Sequence, residues 1–171
     1  MRIVAGEFRG LSVIKPSDRR VRVTTERVRE ALFDILTPRI TGARVLDLFA
    51  GSGVLGLEAL SRGATWVDFV DILPASLKAV RSNVASLGVE QNTHVYRGDA
   101  TRFVERLDTD AYDLALADPP FSTDQAISLI EQFRECAFAK TLVVEHRSNL
   151  KCTGDDTRRY GDIALTFCFS P

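Results

Sequence analysis

Four consecutive residues, Asp118, Pro119, Pro120 and Phe121, end the apolar run YDLALA with a carboxylate, a rigid backbone and an aromatic ring. A proline pair alone would only stop a strand and turn the ring back onto the core. A methyl transfer to a planar exocyclic amine uses all four. The lone pair of such a nitrogen is delocalised into its ring, so it must rehybridise as it attacks a sulfonium methyl in line. Acceptors around the amine favour the pyramidal, increasingly positive nitrogen over the planar ground state, the kind of binding that accelerates a reaction. The Asp118 side chain and the Pro119 carbonyl are candidate acceptors, and the prolines aim that carbonyl in advance. Phe121 offers a face for a base, a contact worth about 1–3 kcal/mol.

A second constellation is DLFAGSGVLG, where Gly51, Gly53 and Gly56 satisfy G-x-G-x-x-G and Asp71 follows Gly51 by twenty residues. The bland alternative is a glycine turn that tightens a strand–helix junction. A strand before, a helix after and an acid on the next strand favour a cofactor loop. The spacing suits a nicotinamide dinucleotide or S-adenosylmethionine, because both present a ribose to Asp71. Asp47 leans toward the second. A fixed anion four residues before the first glycine is a poor neighbour for a pyrophosphate, which wants helix amides. It is a good neighbour for a ligand carrying an ammonium and a sulfonium. Asp99, in GDAT, is a candidate acceptor for an adenine amino group.

The elements that must position these residues alternate regularly. RVLDLF, TWVDFVD, THVYR, YDLALA and KTLVVEH read as strands; VLGLEALSRG, PASLKAVRSNVASLG, ATRFVERL and DQAISLIEQFREC read as helices. Strands alternating with helices predict an α/β, Rossmann-like, doubly wound and mainly parallel sheet. TRRYGDIALTFCF predicts a C-terminal hairpin turning at Gly161–Asp162 and adding one antiparallel strand. RIVAG and LSVIKP predict a small N-terminal hairpin. TTERVREALFDIL predicts a helix capped by Thr24 or Thr25, with Val28, Leu32, Ile35 and Leu36 on one stripe. Ligands of such sheets sit beyond the strand carboxyl ends, so Asp47 to Gly53, Asp71, Asp99, Asp118 to Phe121 and Glu145 are the residues to weigh.

At 171 residues the chain reads as one domain, with residues 1–40 a basic extension on a 41–171 core. Residues 1–30 carry eight Lys/Arg against four acids, while the remainder is net negative by five. That asymmetry suggests a polyanion contact on one side, against the alternative of a solvated charged face. MRIVAGEFRG lacks the apolar core of a secretion signal, and no apolar stretch is long enough to span a bilayer. Cys136, Cys152 and Cys168 are widely spaced without CxxC, which predicts reduced thiols, a cytoplasmic location and no zinc site. With only His94 and His146, His-based metal chemistry is disfavoured. Glu145 and His146 read as a structural pair rather than a base, and Trp66 and Phe69 as core.

With LADPPF after the fourth strand and LDLFAGSG after the first, the chain resembles the class I S-adenosylmethionine-dependent amino-methyltransferases. Within them it resembles the bacterial small-subunit (16S) ribosomal RNA guanine-N2 methyltransferase family over nearly its whole length. RIVAGEFRG and the helix TTERVREALFDIL carry the family-specific part; Val23 stands where the family pattern has proline. The resemblance implies that Asp47, Phe49, Ala50, Gly51, Ser52, Gly53, Asp71, Ile72, Asp99 and Ala100 bind S-adenosylmethionine. It implies that Asp118, Pro119, Pro120 and Phe121 handle the target amine. It also implies that Arg2, Arg9, Arg22, Thr24 and Arg29 contact ribosomal RNA, in the small subunit or an assembly intermediate; the sequence itself calls for no metal and for nothing beyond a monomer. A target in folded RNA would be turned out toward Phe121. Three competitors stay open: a DNA amino-methyltransferase with the same tetrapeptide, a nicotinamide-dependent reductase, and a non-catalytic RNA-binding assembly factor.

Overall fold

Parallel strands covered on both faces read as unbroken apolar runs, and Leu114 to Ala117 are accordingly at most 2% exposed. The computed structural model describes residues 1–171. Its strands are β1 (Arg44–Leu48), β2 (Trp66–Asp71), β3 (Thr93–Arg97), β4 (Tyr112–Ala117), β5 (Ala139–Arg147), β6 (Asp156–Tyr160) and β7 (Ile163–Phe169). They form one sheet in the order β3-β2-β1-β4-β5-β7-β6. β1 to β5 are parallel, β7 is antiparallel to β5, and β6 is antiparallel to β7. The doubly wound architecture is as expected, except that both hairpin strands enter the sheet. Gly161–Asp162 is the two-residue turn between the paired Tyr160 and Ile163, with Gly161 at φ +64°.

The helices are α1 (Glu26–Ile40), α2 (Val54–Ser61), α3 (Pro74–Leu87), α4 (Ala100–Val104) and α5 (Gln125–Glu135). Thr25, not Thr24, caps α1: its hydroxyl accepts the Val28 N–H at 3.3 Å. Val28, Leu32 and Leu36 are buried as the periodicity requires, Ile35 is half-buried, and the helix continues through Pro38. One face of the sheet packs α1, α2 and α3 together with Ile3 and Val13 of the N-terminal segment. The other packs α4 and α5. No helix is long and apolar enough to cross a membrane.

The N-terminal hairpin shrinks to a single antiparallel bridge between Arg2 and Ser12. The arm is held instead by α2 and α3. The fully buried Glu58 carboxylate accepts the N–H groups of Val4 (2.9 Å) and Ala5 (3.0 Å). The Ser61 hydroxyl donates to the Ala5 carbonyl (2.5 Å) and accepts the Phe8 N–H (2.9 Å). Gly6, at φ +84°, passes so close that a Cβ would lie 1.9 Å from the Ser61 carbonyl oxygen. Asn83 bonds both the N–H and the carbonyl of Ile14 (2.8 and 2.9 Å).

The winding reverses between β1 and β4. Leu48 pairs with Ala117 and Ala117 with Val144, so Phe49 and Asp118 leave the sheet at its carboxyl edge beside Glu145, which β5 carries on past its pairing with β4. That is the crevice in which doubly wound sheets bind ligands.

Candidate active site at the strand carboxyl ends

A cleft of about 440 Å³ opens there, lined by residues at or just past the ends of all five parallel strands: Phe49 and Gly51, Ile72, Gly98 to Ala100, Asp118 to Phe121, and Arg147. None of the three cysteines lines it.

In one half of the cleft the backbone after β1 turns sharply. Phe49 is left-handed at φ +56° and Gly51 at φ +58°, and such a conformation in a non-glycine residue is costly and clusters at functional sites. Gly56 permits α2 to sit on β2, since a Cβ would lie 2.4 Å from Phe69 Cε1. The loop amides are already committed: Gly51 N–H to Asp71 Oδ2 (2.9 Å), Gly53 N–H to the Ala50 carbonyl (2.7 Å), and Gly56 N–H to Asp47 Oδ2 (2.9 Å). A pyrophosphate needs those donors free, so the loop is ill suited to a dinucleotide.

The same half suits an adenosine. Asp71 Oδ1 accepts only the Leu73 N–H (2.8 Å), and each carboxylate oxygen keeps a second lone pair for a ribose hydroxyl. The Ser76 hydroxyl, buried and without any partner, lines the same wall; an orphaned buried hydroxyl marks a place for a ligand group. Ile72 is 55% exposed and offers an apolar surface to a ring. Asp99 Oδ1 caps α4 through the Arg102 N–H (3.0 Å) and accepts the Thr101 hydroxyl (2.5 Å), which hold its carboxyl below the usual range and leave Oδ2 free.

The other half holds Asp118-Pro119-Pro120-Phe121. The Pro120 carbonyl accepts the Thr123 N–H (3.2 Å) and hydroxyl (2.8 Å), while the Pro119 carbonyl accepts nothing from the chain. Asp118 is mostly buried beside Glu145, which is 2% exposed. The Thr24 hydroxyl lies between them, 2.7 Å from Glu145 Oε2 and 3.3 Å from Asp118 Oδ2. Arg22 Nη2 pairs with Asp118 Oδ1 and with Glu145 Oε1 (2.8 Å). Its guanidinium carbon stands 3.6 Å from the Phe121 ring centroid, with Arg147 at 5.5 Å. Burial and the Glu145 charge push Asp118 up to about 8, against the pull of Arg22 and the Thr24 hydroxyl.

Several sequence expectations need correcting. Arg29 cannot reach RNA, because it is fully buried, 3.6 Å from Glu58 and bonded to the Arg2 carbonyl (2.5 Å). Thr24 is 3% exposed and belongs to the carboxylate pair. Arg22 lies in the cleft against Asp118 and Glu145 instead of on an outer phosphate-facing surface. Asp47 does not line the cleft: it faces a small recess behind the loop with Ala50 and Ser52, where burial, then Asp118 and Asp71, push its pKa up against the pull of the Gly56 N–H. Gly53 sits beneath the loop, where its Cβ position is 3.2 Å from Phe69. Arg2 and Arg9 are exposed on the arm. Glu145 and His146 are not one pair: His146 turns away to the Thr166 hydroxyl (2.7 Å). Ser76 and Arg147 join the site with no sequence signal of their own. Glu145 had one, its place at the end of the fifth strand, yet it is a partner of Asp118 and not of its chain neighbour.

The family model described as Conserved hypothetical protein 95 matches residues 1–166. The chain belongs to that family. It is 33% identical over 172 residues to "Putative rRNA methyltransferase YlbH" of Bacillus subtilis, covering 97% of this chain and 91% of that one. It is 38% identical over 134 residues to Ribosomal RNA small subunit methyltransferase D of Escherichia coli, covering 77% and 67%. Among solved structures, a hypothetical protein of Thermus thermophilus, TTHA0928, superposes with a TM-score of 0.86 at 28% identity, covering 99% of both chains.

Proposed function

We propose that the protein methylates the exocyclic N2 amine of a guanine in small-subunit ribosomal RNA, with S-adenosylmethionine as the donor. One observation carries this reading: a carboxylate, an unengaged proline carbonyl and an aromatic face converge at Asp118, Pro119 and Phe121, beside a cleft whose wall suits an adenosine. Membership of a family with rRNA methyltransferase relatives supports the substrate class.

The bound donor supplies an electrophilic methyl on a sulfonium. Asp71, Ser76, Asp99 and Ile72 would hold its adenosine, in the same cleft as Pro119. Phe121 stacks the target base. Asp118 and the Pro119 carbonyl accept the two amine hydrogens, drawing the nitrogen lone pair out of conjugation and toward the methyl. As the N–C bond forms and the S–C bond breaks, the nitrogen becomes cationic; the Asp118 carboxylate stabilises that charge and takes the surplus proton. Arg2 and Arg9, exposed on the N-terminal arm, contact phosphates, positioning the RNA without reading it.

The test is incubation with tritiated S-adenosylmethionine and small ribosomal subunits from cells lacking the protein, followed by nucleoside analysis. Label in N2-methylguanosine is the expected result. Label in duplex DNA instead, or none in RNA, would refute the reading.

A further inference from the structure

The Arg22 guanidinium has the chemistry of the proposed target's own edge. A guanidinium is a planar carbon bonded to three nitrogens. Guanine carries the same fragment at N1–C2(N2)–N3, with N1–H and N2–H as adjacent donors. In this structure that fragment lies 3.6 Å over Phe121, and its Nη2 is hydrogen-bonded to Asp118 and 2.8 Å from Glu145 Oε1 as an ion pair. Glu145 Oε1 has no other partner, and no well-directed hydrogen bond reaches it. The oxygen is buried and waits for a donor.

Resting on the function proposed above, we infer that Glu145 is a specificity-determining residue that accepts guanine N1–H, and that the Arg22 guanidinium occupies, over Phe121 and between the two carboxylates, the place the base takes. Two neighbouring carboxylates match a base with two neighbouring donors. Adenine and cytosine set their amine beside a ring nitrogen lone pair; against Glu145 that lone pair would meet an oxygen, leaving a buried carboxylate unpaired. Sites built around a substrate hydrogen bond reject analogues lacking it far more strongly than apolar pockets reject size. Thr24 fixes Glu145 for this task from the far side, through Oε2. When the base arrives, Arg22 gives up the ring face.

2-Aminopurine keeps the N2 amine but replaces N1–H with a lone pair. After the methylated position has been mapped with the wild-type protein, small-subunit RNA is ligated with guanine or 2-aminopurine there and reconstituted into subunits. The wild type should prefer guanine by about 100-fold or more in kcat/KM. In Glu145→Gln the amide can donate to the unprotonated N1, so the preference should fall at least tenfold, with S-adenosylhomocysteine binding unchanged by calorimetry. That selective gain separates N1 from loss of O6, which 2-aminopurine also lacks. An unchanged preference in the variant would overturn the inference. So would wild-type rates for the two bases within threefold of each other, a comparison that needs no variant to fold. If the wild type labels no guanine at all, the failure belongs to the proposed function instead.

Discussion

At Asp118 a reactive carboxyl is kept where it is least comfortable. Its pKa of about 8 in the fold compares with 3.8 for an ordinary aspartate. Between those values the folded protein holds a proton that the unfolded chain has released, so stability falls as pH rises from about 4 to about 8 and is level above. Asp118→Asn removes this loss. Its Tm should exceed the wild type's by a few degrees at pH 8 and match it near pH 4, where both side chains are neutral; about 1 kcal/mol corresponds to 2–4 °C for a chain of this size. The same variant should lose methyl transfer, a stability–activity exchange expected of such a group. Because the free enzyme's titration governs kcat/KM, wild-type kcat/KM should rise with pH through about 8. Facing Asp118, Glu145 raises this value, while Arg22 and Thr24 lower it. Arg22→Ala should therefore move the rising limb to higher pH, and an unmoved limb would show that Asp118 is not the group being titrated.

At the scale of elements, the N-terminal arm and the glycine loop are set by contacts that chain order hides. Glu58 pairs with the fully buried Arg29 and accepts two arm N–H groups. Glu58→Gln leaves an uncompensated buried guanidinium and should cost about 3–5 kcal/mol in chemical denaturation. Gly56→Ala would press a methyl group into Phe69 and Val67; overpacking of this kind costs about 1–3 kcal/mol and should weaken S-adenosylhomocysteine binding in parallel. The helices and strands themselves were readable because their periods are local. So was the Asp118–Phe121 turn, whose chemistry is contiguous. The role of Glu145 was not, because its place beside Asp118 follows from the β4–β5 register. Arg22 was not, because it reaches its partners across 96 and more positions of chain. Nor is the burial of Arg29 legible locally, because it follows from α1 pressing that face onto Glu58 of α2.

Across the whole molecule, the sheet brings the Asp71–Asp99 wall and the Asp118–Phe121 turn to one crevice, while the arm fastened to α2 and α3 presents Arg2 and Arg9 outward. Binding to small ribosomal subunits should weaken with salt, and Arg2→Ala or Arg9→Ala should each reduce the slope of log K against log salt by about 1. S-adenosylhomocysteine affinity should stay unchanged in both. The charge asymmetry along the chain was visible in composition; which of those arginines face outward depended on packing, and only the structure separates Arg2 and Arg9 from Arg22 and Arg29. The most direct measurement of the central claim is mass spectrometry of small-subunit rRNA digests from cells lacking the protein, complemented with wild type or Asp118→Asn. N2-methylguanosine should return at one position with the wild type and stay absent with the variant. Its return with Asp118→Asn, or a methyl on another base, would contradict a carboxylate and a proline carbonyl acting on a guanine amine.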